Sequence, residues 1–125
     1  MFGSRYADHE FLRIAIHSPE QLRAVLEGYS RKETRLLQFE SPAGICLGLA
    51  VDAQFGVVEL HGLPNGRSLI ARPDALQTND SRCFVGDWQP SCFLPCHLLS
   101  LEDVIVIALE TYLIGATPKW VEWER

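Results

Sequence analysis

The stretch Arg35–Gly62, RLLQFESPAGICLGLAVDAQFGVVELHG, decides the fold of this chain. It holds three short segments rich in strand formers, and Pro, Gly or Asp stands between them: Arg35–Glu40, Ile45–Ala53 and Gly56–Gly62. Short segments bounded in this way are typical of β-strands. The connections are too short for the crossover that a parallel pair needs, so the stretch predicts an antiparallel meander.

The segment Ile45–Ala53 indicates what each face of that sheet carries. Its large apolar residues alternate with small ones. Because successive strand side chains point to opposite faces, one face of this strand is large and apolar. The other face carries Cys46, Gly48 and Ala50, and small residues there let a helix or a neighbouring backbone approach closely.

A strand and a helix are predicted before this meander. FLRIAIH, Phe11–His17, alternates and predicts a first strand. Ser18 then fits an N-cap, Pro19 the first helical position and Gln21 a capping box. One apolar stripe follows at helical spacing, and we expect Gly28 to help end the helix; the stripe is Leu22, Val25, Leu26 and Tyr29.

A second helix is predicted over SLEDVIVIALETYLIG, Ser100–Gly115. Ser100 with Asp103 resembles a capping box, Gly115 suits the C-cap, and Pro118 prevents continuation. Apolar residues run nearly all the way round this helix, so we expect both of its flanks to be covered.

Weaker strand signals complete the chain: RSLIAR, RCFVGDW and the closing KWVEWER. At 125 residues the chain has room for one domain, residues 1–125, which needs no metal or disulfide to fold. The expected fold class is α+β, a single antiparallel sheet of about five to seven strands packed against two helices.

Composition restricts the function. The formal net charge is -5, whereas nucleic-acid binders carry a clustered excess of Lys and Arg, so we expect a basic partner and no direct nucleic-acid binding. The start lacks a signal-peptide pattern, and the most apolar run, Val104–Leu109, is far short of the ~20 residues of a membrane span. We therefore expect a cytoplasmic protein, with no membrane contact and with its four cysteines reduced.

The end of the chain, GATPKWVEWER, interleaves tryptophans with carboxylates. If this segment is a strand, its two tryptophans point to opposite faces, so one can close the core while the other lies on the surface. If Val121 and Trp123 face the helices, the other face offers Trp120, Glu122 and Glu124. Tryptophan is favoured at binding hot spots, and acidic neighbours complement a basic cleft.

The order of features over the last third of the chain resembles one family. FVGDW is followed by the acidic-start helix in LSLEDVIVIALETYL, by the turn GATP and by the closing VEWE, and GICLGLAVDA in the first half fits the same layout. In this order the chain resembles the immunity proteins of bacterial polymorphic toxin systems, specifically the first-numbered (Imm-one) family. Cys92 and Cys96 lie outside the family pattern.

The resemblance implies a protein that is not an enzyme and needs no cofactor. Such a protein binds a cognate toxin domain, often a nuclease or nucleic-acid deaminase, and blocks its active site or access to its substrate. An acidic inhibitor is steered to a basic active-site cleft. Our candidate partner-binding residues are Trp120, Glu122, Glu124, Asp87, Trp88 and Glu59, with Asp74 and Asp80 as further acidic contacts. We expect the chain to be a monomer or a weak homodimer.

Two other kinds of site stay open. Cys83, Cys92, Cys96 and His97 supply four thiol and imidazole ligands, although Cys92-x3-Cys96 is the only close pair, so a small metal- or thiol-dependent protein is the alternative. His61 and Glu59 lie one position apart on one strand face and could pair as acid and base. No phosphate loop or nucleophile motif accompanies them.

Overall fold

The computed structural model describes residues 11–13, 15–32, 35–62, 68–85 and 90–124. Two α-helices lie within these ranges, α1 (Pro19–Lys32) and α2 (Leu101–Ile114). The strands in the same ranges are β1 (Phe11–Arg13), β2 (Arg35–Glu40), β3 (Cys46–Val51), β4 (Phe55–His61), β5 (Leu69–Arg72), β6 (Arg82–Val85), β7 (Pro90–Phe93), β8 (Leu99–Ser100) and β9 (Glu122–Glu124).

The main sheet has the strand order β1-β2-β3-β4-β5-β9, and β8 pairs with the beginning of β4. The predicted α+β class, with two helices and a largely antiparallel sheet, is confirmed. Two features differ from the expectation of a single antiparallel sheet. The β1–β2 pair is parallel, because α1 connects the two strands and supplies the crossover. In addition, β6 and β7 form a separate antiparallel hairpin.

Both helices contribute to one core on one face of the main sheet, which we call the helix face. The predicted division of β3 into large and small residues is confirmed, because Leu47, Leu49 and Val51 point into this core. Gly56 on β4 brings α2 close to the sheet. A Cβ at Gly56 would lie 2.5 Å from the carbonyl oxygen of Ala50 and 2.8 Å from a methyl of Val104, so glycine is required for this approach.

The caps of both helices follow the sequence. Ser18 Oγ accepts from the Gln21 N–H at 3.1 Å, and Ser100 Oγ accepts from the Asp103 N–H at 3.1 Å. Gly115 ends α2 in the left-handed conformation, at φ 78°. The expectation for Gly28 is wrong, because α1 continues past it to Lys32.

The ends of the chain depart more from the sequence-based expectation. The strand expected over Phe11–His17 ends at Arg13 among the described residues, and residues 15–17 form no strand. The closing strand is also shorter than expected, because residues 119–120 form a turn and β9 begins only at Glu122. Edge strands have fewer neighbours to extend them, which is why alternation overestimates their length.

The opposite face of the main sheet, which we call the open face, is covered in part by the β6–β7 hairpin. Ala50 and Val57 form a small core there with Phe84 and Leu98. The small residues of β3 thus admit a hairpin rather than a helix. Arg82 anchors the hairpin edge, because it donates to Asp52 Oδ2 at 2.7 Å.

Candidate functional site

The two tryptophans of the closing segment lie in different environments. Trp123 packs against the core of the helix face together with the buried Val121, as expected. Its indole nitrogen is buried and has no hydrogen-bond acceptor among the described residues. Trp120 is 49% exposed and donates its indole N–H to Glu110 Oε1 on α2 at 2.9 Å. Trp123 is therefore a core residue, and Trp120 is a surface residue.

Trp120 joins an exposed apolar surface at the end of α2. Glu110, Leu113 and Ile114 are spaced i, i+3 and i+4, so they lie on one face of that helix. Leu113 is 66% exposed and Ile114 is 67% exposed. We call Glu110, Leu113, Ile114 and Trp120 the Trp120 patch. The expectation that both flanks of α2 are covered is thus wrong for its last turn.

The acidic candidates lie on the other side of the sheet. The pairing register places Glu59, Glu122 and Glu124 on the open face. Because β9 begins after Trp120, the predicted single surface of Trp120, Glu122 and Glu124 is divided: Trp120 is bound to α2, and the two carboxylates belong to β9. Glu122 is exposed.

Glu124 is held in place by two side chains, His97 and Arg72. Its carboxylate lies 2.6 Å from His97 Nε2 through one oxygen and accepts from Arg72 at 2.6 Å through the other. The hydrogen bond with His97, and then the one from Arg72, outweigh desolvation and hold the pKa of Glu124 below its ordinary value. Glu124 therefore connects β9 to β5 and to the short helical turn Pro95–His97.

Glu59 belongs to a polar network on the open face. The expected pairing of His61 with Glu59 is present, with His61 Nε2 2.9 Å from Glu59 Oε1. The Gln38 amide nitrogen lies 3.1 Å from His61 Nδ1 and donates to Cys46 Sγ at 3.2 Å. We call Gln38, Cys46, Glu59 and His61 the Cys46 network. These side chains are all partly buried, on three adjacent strands.

Sequence reasoning missed Cys46 and Gln38, although a signal was available. Val51 pairs with Gly56 across the short turn between β3 and β4, and counting back along both strands places Cys46 opposite His61. The sequence also contains a signal for the Trp120 patch, because the apolar residues of α2 continue round the helix beyond one core-facing stripe.

The expectation that all cysteines are reduced is wrong for one pair. Cys83 and Cys92 are directly opposite in the β6–β7 hairpin and form a disulfide. Both are exposed on the outer face of the hairpin. Their neighbours Arg82 and Phe84 point to the sheet instead.

The four residues of the metal alternative are not brought together in this state. Two of them share the disulfide, and His97 is bound to Glu124. Among the described residues, no group of three or more His, Cys, Asp or Glu side chains is placed to hold a metal ion.

The remaining candidates are distributed differently. Asp87 and Trp88 lie outside the described residues. Asp74 and Asp80 are exposed in the loop between β5 and β6.

Neither helix of the described residues has the length and apolar character that a membrane span requires.

No protein-family model and no curated protein matches this chain. The resemblance to immunity proteins therefore depends on the residues quoted from the sequence, and the surfaces described above have to carry the functional argument.

Proposed function

We propose that this chain is an immunity protein, which binds and neutralises a cognate bacterial toxin domain by blocking its active site or its substrate access. The toxin would be a nuclease or a nucleic-acid deaminase with a basic cleft. The observation that carries the proposal is the Trp120 patch: an exposed tryptophan held by a carboxylate beside an uncovered helix end.

The composition of the patch fits a protein partner. Single exposed apolar residues are normal on protein surfaces, whereas groups of them mark interaction sites. Leu113 and Ile114 are neighbours on one helix face, and Trp120 is connected to that face through Glu110. The hydrogen bond to Glu110 restrains the indole before binding, which lowers the entropic cost of placing it in a partner's pocket.

Charge favours a basic occupant. The chain carries a net charge of -5, and Glu110 lies within the patch. The helix C-terminus adds the negative end of the α2 dipole beside Leu113 and Ile114. A toxin that grips nucleic-acid phosphates needs a positive cleft, and negative potential at the patch would both steer and orient such a partner.

The first experiment tests the function itself. The chain is co-expressed with the polypeptide encoded immediately upstream, and cell survival and co-purification are scored. The proposal expects a neighbour whose C-terminal domain kills cells alone, rescue by this chain, and a stable complex of the two. A harmless neighbour with no complex would overturn the assignment to this class.

The second experiment tests the patch. Trp120→Ala should weaken toxin binding about 30-fold or more, the scale of a hot-spot residue, while the thermal midpoint of the free protein changes little. Leu94→Ala is the matched control, because Leu94 is also exposed, at 59%, but lies after β7 and is not part of the Trp120 patch. Equal losses for the two variants would exclude the patch as the binding site.

A third variant separates anchoring from charge. Glu110→Gln keeps an oxygen acceptor for the Trp120 N–H but removes the negative charge. We expect this variant to associate with the toxin more slowly, and its association rate to depend less on salt. Its loss of binding affinity should be smaller than that of Trp120→Ala. An unchanged association rate would mean that the charge of Glu110 has no part in steering.

The thiol alternative has one observation in its favour, the exposed Cys83–Cys92 disulfide. A thiol-dependent protein would lose its activity when both cysteines are replaced by serine. The immunity proposal instead expects the Cys83→Ser, Cys92→Ser double variant to rescue cells from the toxin.

A further inference from the structure

We propose that the Cys46 network is a nucleophilic thiol site at which small, uncharged carbon electrophiles covalently modify Cys46. The site lies on the open face of the sheet, where the last residues of β2, the first residues of β3 and the last residues of β4 pair side by side. It is independent of the proposed immunity function, because it involves no residue of the Trp120 patch.

The hydrogen bonds define which imidazole nitrogen is the base. A carboxylate oxygen only accepts hydrogen bonds, so the 2.9 Å contact with Glu59 places the proton of the neutral imidazole on His61 Nε2. Nδ1 is then the acceptor nitrogen of the ring, and the Gln38 amide donates to it. That nitrogen lies 3.1 Å from the Gln38 amide nitrogen, which also donates to Cys46 Sγ at 3.2 Å.

The Gln38 amide nitrogen thus contacts both His61 Nδ1 and the Cys46 thiol. Cys46 and His61 are also directly opposite in the β3–β4 pair, where Cβ atoms are roughly 4.5–5.5 Å apart. When the Gln38 N–H turns away from Nδ1, that nitrogen can take the thiol proton, directly or through one water, and the other Gln38 N–H stabilises the thiolate that forms. Glu59 is a positioning residue, since it acts only by orienting His61.

The charged groups around the thiol set its selectivity. Among the described residues of β2, β3 and β4, two sets of charged or titratable groups share the face of Cys46. They are Glu40, directly opposite Cys46 on β2, and the His61–Glu59 pair on β4. Glu40 is exposed, so solvent and salt screen it, whereas His61 is mostly buried. Two carboxylates repel anionic reagents, which is why the site should favour uncharged ones.

Iodoacetamide illustrates the reaction. Cys46 Sγ attacks the methylene carbon, the S–C bond forms, and the C–I bond breaks as iodide leaves with the bonding electrons. The thiol proton passes to His61 Nδ1 and from there to water. No oxidant or other reactant is required.

The chain contains its own control for a test. Cys96 is also partly buried, and neither Cys46 nor Cys96 is part of the disulfide. The intact folded protein is treated with limiting iodoacetamide, and the modification rate at each cysteine is followed by mass spectrometry from pH 6 to pH 8. We expect Cys46 to react at least tenfold faster than Cys96 at pH 7.

The pH dependence distinguishes base assistance from simple accessibility. An ordinary thiol, with a pKa near 8.5, loses roughly 75-fold in rate between pH 8 and pH 6. The Cys46 rate should fall less than tenfold over this range. The ratio of the iodoacetate rate to the iodoacetamide rate should also be lower at Cys46 than at Cys96.

Two variants identify the roles. His61→Asn should give Cys46 the steep profile of an ordinary thiol, whereas Glu59→Gln, which keeps an acceptor oxygen for His61 Nε2, should keep most of the flat profile. Equal rates and equally steep profiles for Cys46 and Cys96 in the unaltered protein would overturn the proposal, and so would an unchanged profile in a folded His61→Asn variant. Both results leave the toxin-binding proposal standing, because that proposal is carried by the Trp120 patch and is tested with Trp120→Ala.

Discussion

Val57 and Val58 are neighbours in β4, and their side chains enter two different cores. Val58 joins the core of the helix face, under two helices of 14 residues each. Val57 joins the small core of the open face, under a hairpin whose strands have four residues each. The same strand is therefore closed on one side by long elements and on the other by a short one.

This difference separates stability from chemistry. The helix face encloses most of the buried apolar residues of the described chain, so it provides most of the driving force for folding. The open face leaves room beside its small core for partly buried polar groups, and the Cys46 network lies there. The Trp120 patch lies where the cover of the helix face ends, at the last turn of α2.

The largest predicted effect comes from one matched pair of substitutions. Val58→Ala should lower the free energy of unfolding by about 2–3 kcal/mol, and Val57→Ala by about 1–2 kcal/mol, because a hairpin can settle into a small cavity more easily than two packed helices can. Urea denaturation of both variants measures the difference. An equal or larger loss for Val57→Ala would contradict the comparison.

The second prediction concerns the cover of the open face. Reduction of the Cys83–Cys92 disulfide, which spans nine residues of sequence, should lower stability by about 2 kcal/mol through the greater freedom of the unfolded chain. Because both cysteines are exposed, dithiothreitol should act on the folded protein. Thermal unfolding with and without reductant measures the shift, and the Cys83→Ser, Cys92→Ser double variant should not respond. A disulfide that resists reduction until the protein unfolds would contradict this account.

The third prediction compares two arginines. Arg82→Met should cost about 1 kcal/mol, because Arg82 pairs with the mostly buried Asp52 and lies over the Phe55 ring, while Asp52 keeps its backbone hydrogen bonds. Arg23→Met is the control, since Arg23 bridges exposed carboxylates on the helix side. We expect no measurable change in its urea midpoint. Equal effects would mean that hairpin anchoring by Arg82 has no special role.

The smallest effect is a dependence on acid at the sheet edge. The folded-state pKa of Glu124 lies below its ordinary value, first through His97 and then through Arg72. Its contribution to stability is therefore complete above the ordinary carboxyl range and is lost as the pH falls through the lowered pKa. Unfolding midpoints measured from pH 6 downward should fall less steeply for Glu124→Gln. If the midpoints of the unaltered protein and of Glu124→Gln fall equally steeply with pH, Glu124 does not contribute to the acid sensitivity of the fold.

Local signals predicted most of the fold. The bounds of β2 and the caps at Ser18, Ser100 and Gly115 follow from residues within a few positions of each other. The β6–β7 disulfide was not predicted, because a pairing between Cys83 and Cys92 depends on a strand, Pro90–Phe93, that has no alternating pattern. The length of β9 was overestimated for a related reason, since pairing with β5 alone decides where it begins.

The sequence by itself determined the α+β class, the two helices and the division of β3 into a large and a small face, because periodicity and capping are local properties of the chain. Only the tertiary structure decided that Trp120 binds Glu110, that one Gln38 amide contacts both Cys46 and His61, and that the last turn of α2 is uncovered. Each of these depends on which elements lie beside one another. Strand register and helix packing set those neighbours through contacts between residues far apart in the chain.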